Sequence, residues 1–221
     1  MEDGVFNRTD YDSRGRRISR NVYNLLIGLV LCWGFLVNWV MVRTIPYETI
    51  ASINTWVFLI GYFASCLFGI FLFLKSDVAI VSFIGYNFVV VPFGLVINYV
   101  VHHYDPSLVL DAIRVTGLVT LVMMLLGSIF PLFFRRIAGA LGLALLVVII
   151  VELFEIYVLG IHHGIIDWVV VVIFCGYVGY DWGRANSIPP TVDNAVDSAA
   201  SLYMDIINLF LRILRIMGRR R

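Results

Sequence analysis

Two aspartates set among apolar residues are the side chains in this chain best suited to chemistry. Asp181 follows Tyr180 at the end of one apolar run, and Asp205 lies near the middle of the last one. The connection between the two runs is short, so the carboxyls can meet. Two carboxyls in contact in a poorly solvated place do not both ionise easily. They share a proton, and the pair responds to pH. Each aspartate could equally cap a helix or pair with an arginine, and spacing alone leaves both readings open. Lys75 closes another apolar run and could pair with Asp181 as a latch. A lysine whose stem lies along the membrane edge while its ammonium stays in water would read the same way.

Other polar residues cluster around the same runs. In the last segment Asp197, Ser201, Asp205, Asn208, Arg212, Arg215 and Arg219 recur at steps of three or four, which places them on one face of a helix. Glu152 and Glu155 lie three apart in an earlier run. With Asn208 they could extend an acidic cation path, or they could simply be hydrated near its end. His102, His103, His162 and His163 occupy two similar loops beside Asp105 and Asp167. Imidazole and carboxylate suit zinc or another divalent metal, but adjacent histidines point in different directions unless the backbone turns, so an ordinary interfacial loop is the competing reading. No Gly-rich phosphate loop or cofactor motif is present. Ser128 has no histidine within its run to activate it, and Leu202-Tyr203-Met204-Asp205 lacks the Gly-x-Gly-Asp pattern of aspartyl intramembrane proteases. The expectation is therefore a protein that is not an enzyme and carries no cofactor.

The elements that must position these residues are long and apolar. Of 221 residues, 61% are hydrophobic and 14% charged, with a mean hydropathy of +0.92. Soluble domains carry about 25% charged residues, so this composition predicts an integral membrane protein with the lipid bilayer as its main partner. Spans are expected at about 22–42, 53–74, 78–101, 115–134, 137–159, 165–182 and 195–219, a seven-span membrane domain over 22–218. An Arg-rich polar tail, 1–21, precedes it and a basic end, 219–221, follows. The first run, about 20 residues, exceeds the 7–15 of a signal-peptide core and reads as a span. Gly61, Ser65 and Gly69 make a small-residue stripe for close helix approach. Pro92 is expected to kink the third span. Cys32, Cys66 and Cys175 each sit in apolar runs with no metal or disulfide spacing.

Basic residues orient the spans. With a cytoplasmic amino terminus, nine Lys and Arg before the last span fall inside and two, Arg43 and Arg114, outside. A seventh crossing then carries Arg219, Arg220 and Arg221 to the outer side, against that rule. A re-entrant or interfacial last segment is the alternative. The arginines lie at segment ends rather than in a patch, which gives no reason to expect nucleic acid.

The run Ser201-Leu202-Tyr203-Met204-Asp205-Ile206-Ile207-Asn208-Leu209-Phe210, with Leu214-Arg215 and Gly218 beyond it, resembles the last span of the transmembrane Bax inhibitor motif family. Tyr180-Asp181, 24 residues before Asp205, fits the same pattern. The match is specific over about 40 residues, and over the first five spans it rests on span number and loop placement. The resemblance implies an all-α bundle of seven transmembrane helices with the last helix central. It implies a pH-sensitive calcium leak gated by Asp181 and Asp205, with calcium as the transported ion rather than a cofactor. Where the family's latch is an arginine, this chain has Lys75, which keeps the charge and loses bidentate geometry. Family members also regulate other membrane proteins, including proteases, so a non-conducting regulator is the alternative function. The expected location is a bacterial inner membrane.

Overall fold

The computed structural model describes residues 16–160 and 163–219. Among these residues the secondary structure is helical, with no strand and one isolated antiparallel bridge between Arg17 and Thr191. The helices are α1 (Arg20–Thr44), α2 (Tyr47–Ala51), α3 (Thr55–Lys75), α4 (Ala79–Val101), α5 (Pro106–Ile129), α6 (Pro131–Phe154), α7 (Gly164–Ser187) and α8 (Val192–Gly218), with a π-helical turn at Glu155–Leu159. Six are long and apolar enough to cross a membrane: α1, α3, α4, α5, α6 with its π-turn, and α7. Large side chains such as Ile60, Leu67, Leu118, Leu132 and Val172 are exposed on them. Such surface suits lipid, not water. The expected seventh span is helical, but its polar stripe keeps α8 out of that set.

Several boundaries differ from those expected. The fourth span begins at Pro106 rather than near 115, and the fifth at Pro131 rather than 137. Both prolines occupy the first helical position, where a missing N–H costs nothing and the fixed φ suits a helix. The fourth span, α5, therefore stops at Ile129, directly before Phe130 and Pro131. The connection expected at 183–194 shrinks to 188–191, because α7 continues to Ser187 and only Pro189-Pro190 breaks the chain. Of the predicted tail 1–21, residues 1–15 lie outside the described residues. Ser19 caps α1, its Oγ accepting from the Val22 amide at 3.4 Å.

The chain forms two compact units: residues 1–103 with 185–203, and residues 104–184 with 204–221. In the first unit, α4 packs on α3 and α1. Gly69 of α3 and Gly85 of α4 face each other so closely that a Cβ on either would collide with the other's backbone oxygen. Pro92 removes the amide that would bond the Phe88 carbonyl, and Ser65 of α3 donates to that carbonyl instead, at 2.8 Å. The small-residue stripe thus pairs two helices through Gly69 and repairs a proline break through Ser65, while Gly61 faces open space. Asn98 of α4 caps the end of α1, donating to the carbonyls of Met41 and Ile45 at 3.1 and 2.9 Å. Tyr203 of α8 donates to Asn38 Oδ1 at 2.5 Å, and the Asn38 amide donates to the Val90 carbonyl at 3.0 Å.

In the second unit, α5 and α7 meet through glycines. A Cβ on Gly127 would strike the backbone of Gly179, and one on Gly183 would meet the backbone of Gly127. Trp182 donates to Ser128 Oγ at 2.8 Å beside this crossing. The close approach holds α7 by its backbone in the turn that carries Asp181.

Candidate functional site

A short turn joins α7 to α8. Pro189-Pro190 ends the first helix, and Thr191 opens the second, its Oγ1 accepting from the Asn194 amide at 3.2 Å. The Asn194 side chain donates back to the Pro189 carbonyl at 2.8 Å. These bonds satisfy donors and acceptors that a tight helix-to-helix turn would otherwise strand. Near this turn Ser82 of α4 donates to Asp193 Oδ1 at 2.8 Å, and the Tyr23 hydroxyl lies 3.1 Å from Ser198 Oγ.

Within the second unit α7 and α8 run antiparallel. Asp181 of α7 meets Asp205 of α8, and Asp167 of α7 meets Arg219, the residue after α8. Asp167 lies fourteen residues before Asp181, and Arg219 fourteen residues after Asp205. Fourteen residues at about 1.5 Å each place Asp167 about 21 Å from Asp181 along α7.

At the first contact the Asp181 and Asp205 carboxyls are in hydrogen-bonding reach of one another, and both are buried. For two carboxyls to bond, one must carry a proton, because two carboxylates offer only acceptors. Arg184, one turn beyond Asp181, is also buried and acts on both carboxyls. The second oxygen of Asp205, Oδ2, is buried with no hydrogen-bond partner among the described residues. The two aspartates singled out in the sequence are therefore brought together. Lys75 is the last residue of α3, exposed, and belongs to the first unit.

At the second contact three arginines converge on two carboxylates. Arg212 donates through Nη1 and Nη2 to both oxygens of Glu152, at 2.6 and 2.7 Å, and through Nη1 to Asp167 at 2.9 Å. Arg215 reaches both carboxylates at 3.3 Å. Arg219 reaches the other oxygen of Asp167 at 3.1 Å. Gly164 makes room for it, since a Cβ there would meet the Arg219 guanidinium. Asp167 is fully buried, and a buried charge persists only when paired and hydrogen-bonded. Sequence reasoning placed Asp167 beside the histidine loop and missed its role as the hub. The available signal was the spacing of Arg212, Arg215 and Arg219, three cations on one face that demand buried carboxylates opposite.

The remaining candidates are distributed differently. Glu155 opens the π-turn and meets His163, whose Nδ1 lies 2.7 Å from Oε1 and whose backbone amide donates to Oε2 at 3.1 Å. Glu152 thus meets Arg212 and Arg215, and Glu155 meets His163. Asn208 donates to the Met204 carbonyl in its own helix at 2.8 Å. His103 Nδ1 donates to the Tyr99 carbonyl at 2.8 Å, which leaves Nε2 to accept from the Tyr47 hydroxyl at 3.4 Å. His102 stacks on the Tyr47 ring, centroids 4.2 Å apart. His162 lies outside the described residues. Among the described residues, no three His, Cys, Asp or Glu side chains converge as metal ligands.

Apolar helices long enough to span a bilayer, carrying paired and ion-paired carboxyls in their interior, define a multi-pass integral membrane protein. Residues 15–221 match the model of the family described as inhibitor of apoptosis-promoting Bax1, Bax1-I. The chain belongs to that family. It is 33% identical over 78 residues to an uncharacterized protein of Helicobacter pylori, a match covering 34% of this chain and 33% of the relative. It is 26% identical over 133 residues to an uncharacterized membrane protein of Streptococcus pyogenes, covering 57% of this chain and 58% of the relative. The matched region thus spans about a third of the Helicobacter relative and somewhat over half of the streptococcal one.

Proposed function

We propose that this protein is a pH-sensitive cation leak, with calcium as the ion, gated by the Asp181–Asp205 pair. The observation that carries the proposal is the contact of two buried carboxyls on adjacent helices of a membrane protein. One shared proton holds the pair together. Its loss leaves two carboxylates that repel, and this, or a competing divalent cation, changes the path between α7 and α8. Lys75 as a latch rests on its place at the end of an apolar run and on the family resemblance.

The same reading takes α8 as a seventh crossing at the centre of the bundle, with the amino terminus in the cytoplasm of a bacterial cell. Two facts support it. Every residue from Asp193 to Tyr203 is buried, which suits a helix enclosed by protein. Toward its far end Arg212, Arg215 and Arg219 are paired with Glu152 and Asp167, and a paired charge is far cheaper to hold in the membrane.

Purified protein in liposomes loaded with a calcium dye tests the proposal. Calcium should enter with a rate that depends on pH, and Asp181→Asn and Asp205→Asn should each alter that dependence. Variants that behave as the parent does would show the pair to be structural only.

A further inference from the structure

The polar stripe of α8 has a second end that the carboxyl pair does not use. There, Arg212 Nη1 stands 2.6 Å from Glu152 Oε1 and 2.9 Å from Asp167 Oδ1. Two carboxylate oxygens that share one nitrogen at those distances are spaced for a single cation to bridge, because calcium takes carboxylate oxygens at roughly 2.3–2.6 Å. The place a passing cation would take is filled by a guanidinium of the chain itself. Glu152 comes from α6 and Asp167 from α7, so the guanidinium ties three apolar-flanked helices at one level.

We propose that Arg212 is a tethered cation plug, and that passage of a cation past α8 requires its guanidinium to leave Glu152 and Asp167. The proposal rests on the cation-leak reading and adds a second closure, about 10 Å along α8 from Asp205 at about 1.5 Å per residue. The neighbouring arginines make the movement feasible. When Arg212 swings away, Arg215 still reaches both carboxylates at 3.3 Å, and Arg219 still holds Asp167 at 3.1 Å. Neither carboxylate is stranded without a cation, which is what makes the loss of a buried partner so costly. Arg215 Nη1 lies 3.3 Å from the same two oxygens, Glu152 Oε1 and Asp167 Oδ1, so it compensates their charge from a more exposed position and lacks the short, two-pronged grip of Arg212. A single buried arginine with one carboxylate would have no such reserve. The lysine alternative at position 212 would also plug poorly, since an ammonium cannot bond both Glu152 oxygens in the planar, two-pronged manner of a guanidinium.

The test is calcium entry into dye-loaded proteoliposomes at a pH where the wild type conducts. Arg212→Gln should raise the rate by at least about tenfold, the factor that the weakest couplings measured for close charge pairs represent. Arg212→Lys, which keeps the charge and is the safer variant for folding, should raise it by a smaller but clear margin. Added guanidinium ion should slow Arg212→Gln back toward the wild-type rate and leave the wild type unchanged, a rescue that a purely structural arginine would not give. Unchanged rates in both variants, with Asp181→Asn still altering the pH profile, would overturn the plug and leave the leak standing. No calcium entry through the wild type or through either Arg212 variant would overturn both, because removing the plug would have opened nothing.

Discussion

Asp167→Asn is the substitution whose cost follows most directly from the geometry. The wild-type carboxylate is fully buried and takes Arg212 at 2.9 Å, Arg215 at 3.3 Å and Arg219 at 3.1 Å. Asparagine keeps the shape and one acceptor, and removes the charge. Breaking a buried ion pair by removing one partner costs about 3–5 kcal/mol. Glu152 still holds Arg212 at two points and Arg215 at one, and Arg219, the most solvent-accessible end of the ladder after Arg215, can turn outward at little cost. The loss should therefore fall at the low end, about 3 kcal/mol. For a chain of this size that corresponds to a melting temperature lowered by about 6–12 °C. Tryptophan fluorescence of the protein in mild detergent, with Trp168 next in sequence to the substituted residue, reads the transition. Asp111→Asn is the internal comparison. It breaks an exposed pair with Arg114 one helical turn away, 3.1 Å long, and should cost no more than about 0.5 kcal/mol. If Asp167→Asn melts together with Asp111→Asn, the buried ladder contributes nothing and the reasoning from burial is wrong.

Three further outcomes can be checked in the same way. Gly127→Ala places a methyl against the backbone of Gly179 and should destabilise by about 1–3 kcal/mol, with a matching fall in melting temperature, whereas Gly139→Ala, which meets open space, should not. Ser65→Ala strands the Phe88 carbonyl at the Pro92 break and should cost about 1 kcal/mol in a detergent unfolding titration, the usual scale of an interhelical hydrogen bond in a membrane protein. Tyr203→Phe leaves the buried Asn38 oxygen without its 2.5 Å donor and should cost about 1–3 kcal/mol, whereas Tyr157→Phe, exposed on the π-turn, should melt as the parent does.

Much of the architecture was legible in the residues. Apolar runs of sufficient length place the spans, and the i, i+3, i+4 rows of α8 place its polar face. Proline was read less well. Pro92 was expected to kink its helix, but the partner that repairs the break, Ser65, belongs to a different helix and has no local signal. Pro106 and Pro131 start helices, and reading Pro131 as the tail of a span moved two boundaries by several residues. The meeting of Asp181 with Asp205 was foreseeable because one short turn joins the two helices that carry them. The meeting of Glu152 and Asp167 with Arg212 was not, since α6 and α7 contribute carboxylates from separate stretches and only the tertiary register of α8 brings them to one guanidinium. Glu152 and Glu155 share a face by spacing, yet the π-turn beginning at Glu155 and the chain reversal at Gly160, with φ 63°, give them different partners.

The most direct test of the central claim is the pH profile of calcium entry for the wild type and Asp205→Asn, reconstituted side by side in the same lipid. An asparagine at 205 cannot exchange the proton that Asp181 and Asp205 share, so the account predicts a steep pH step in the wild type and a flat profile in the variant. A wild-type profile without a pH step, or the same step in both proteins, would contradict it.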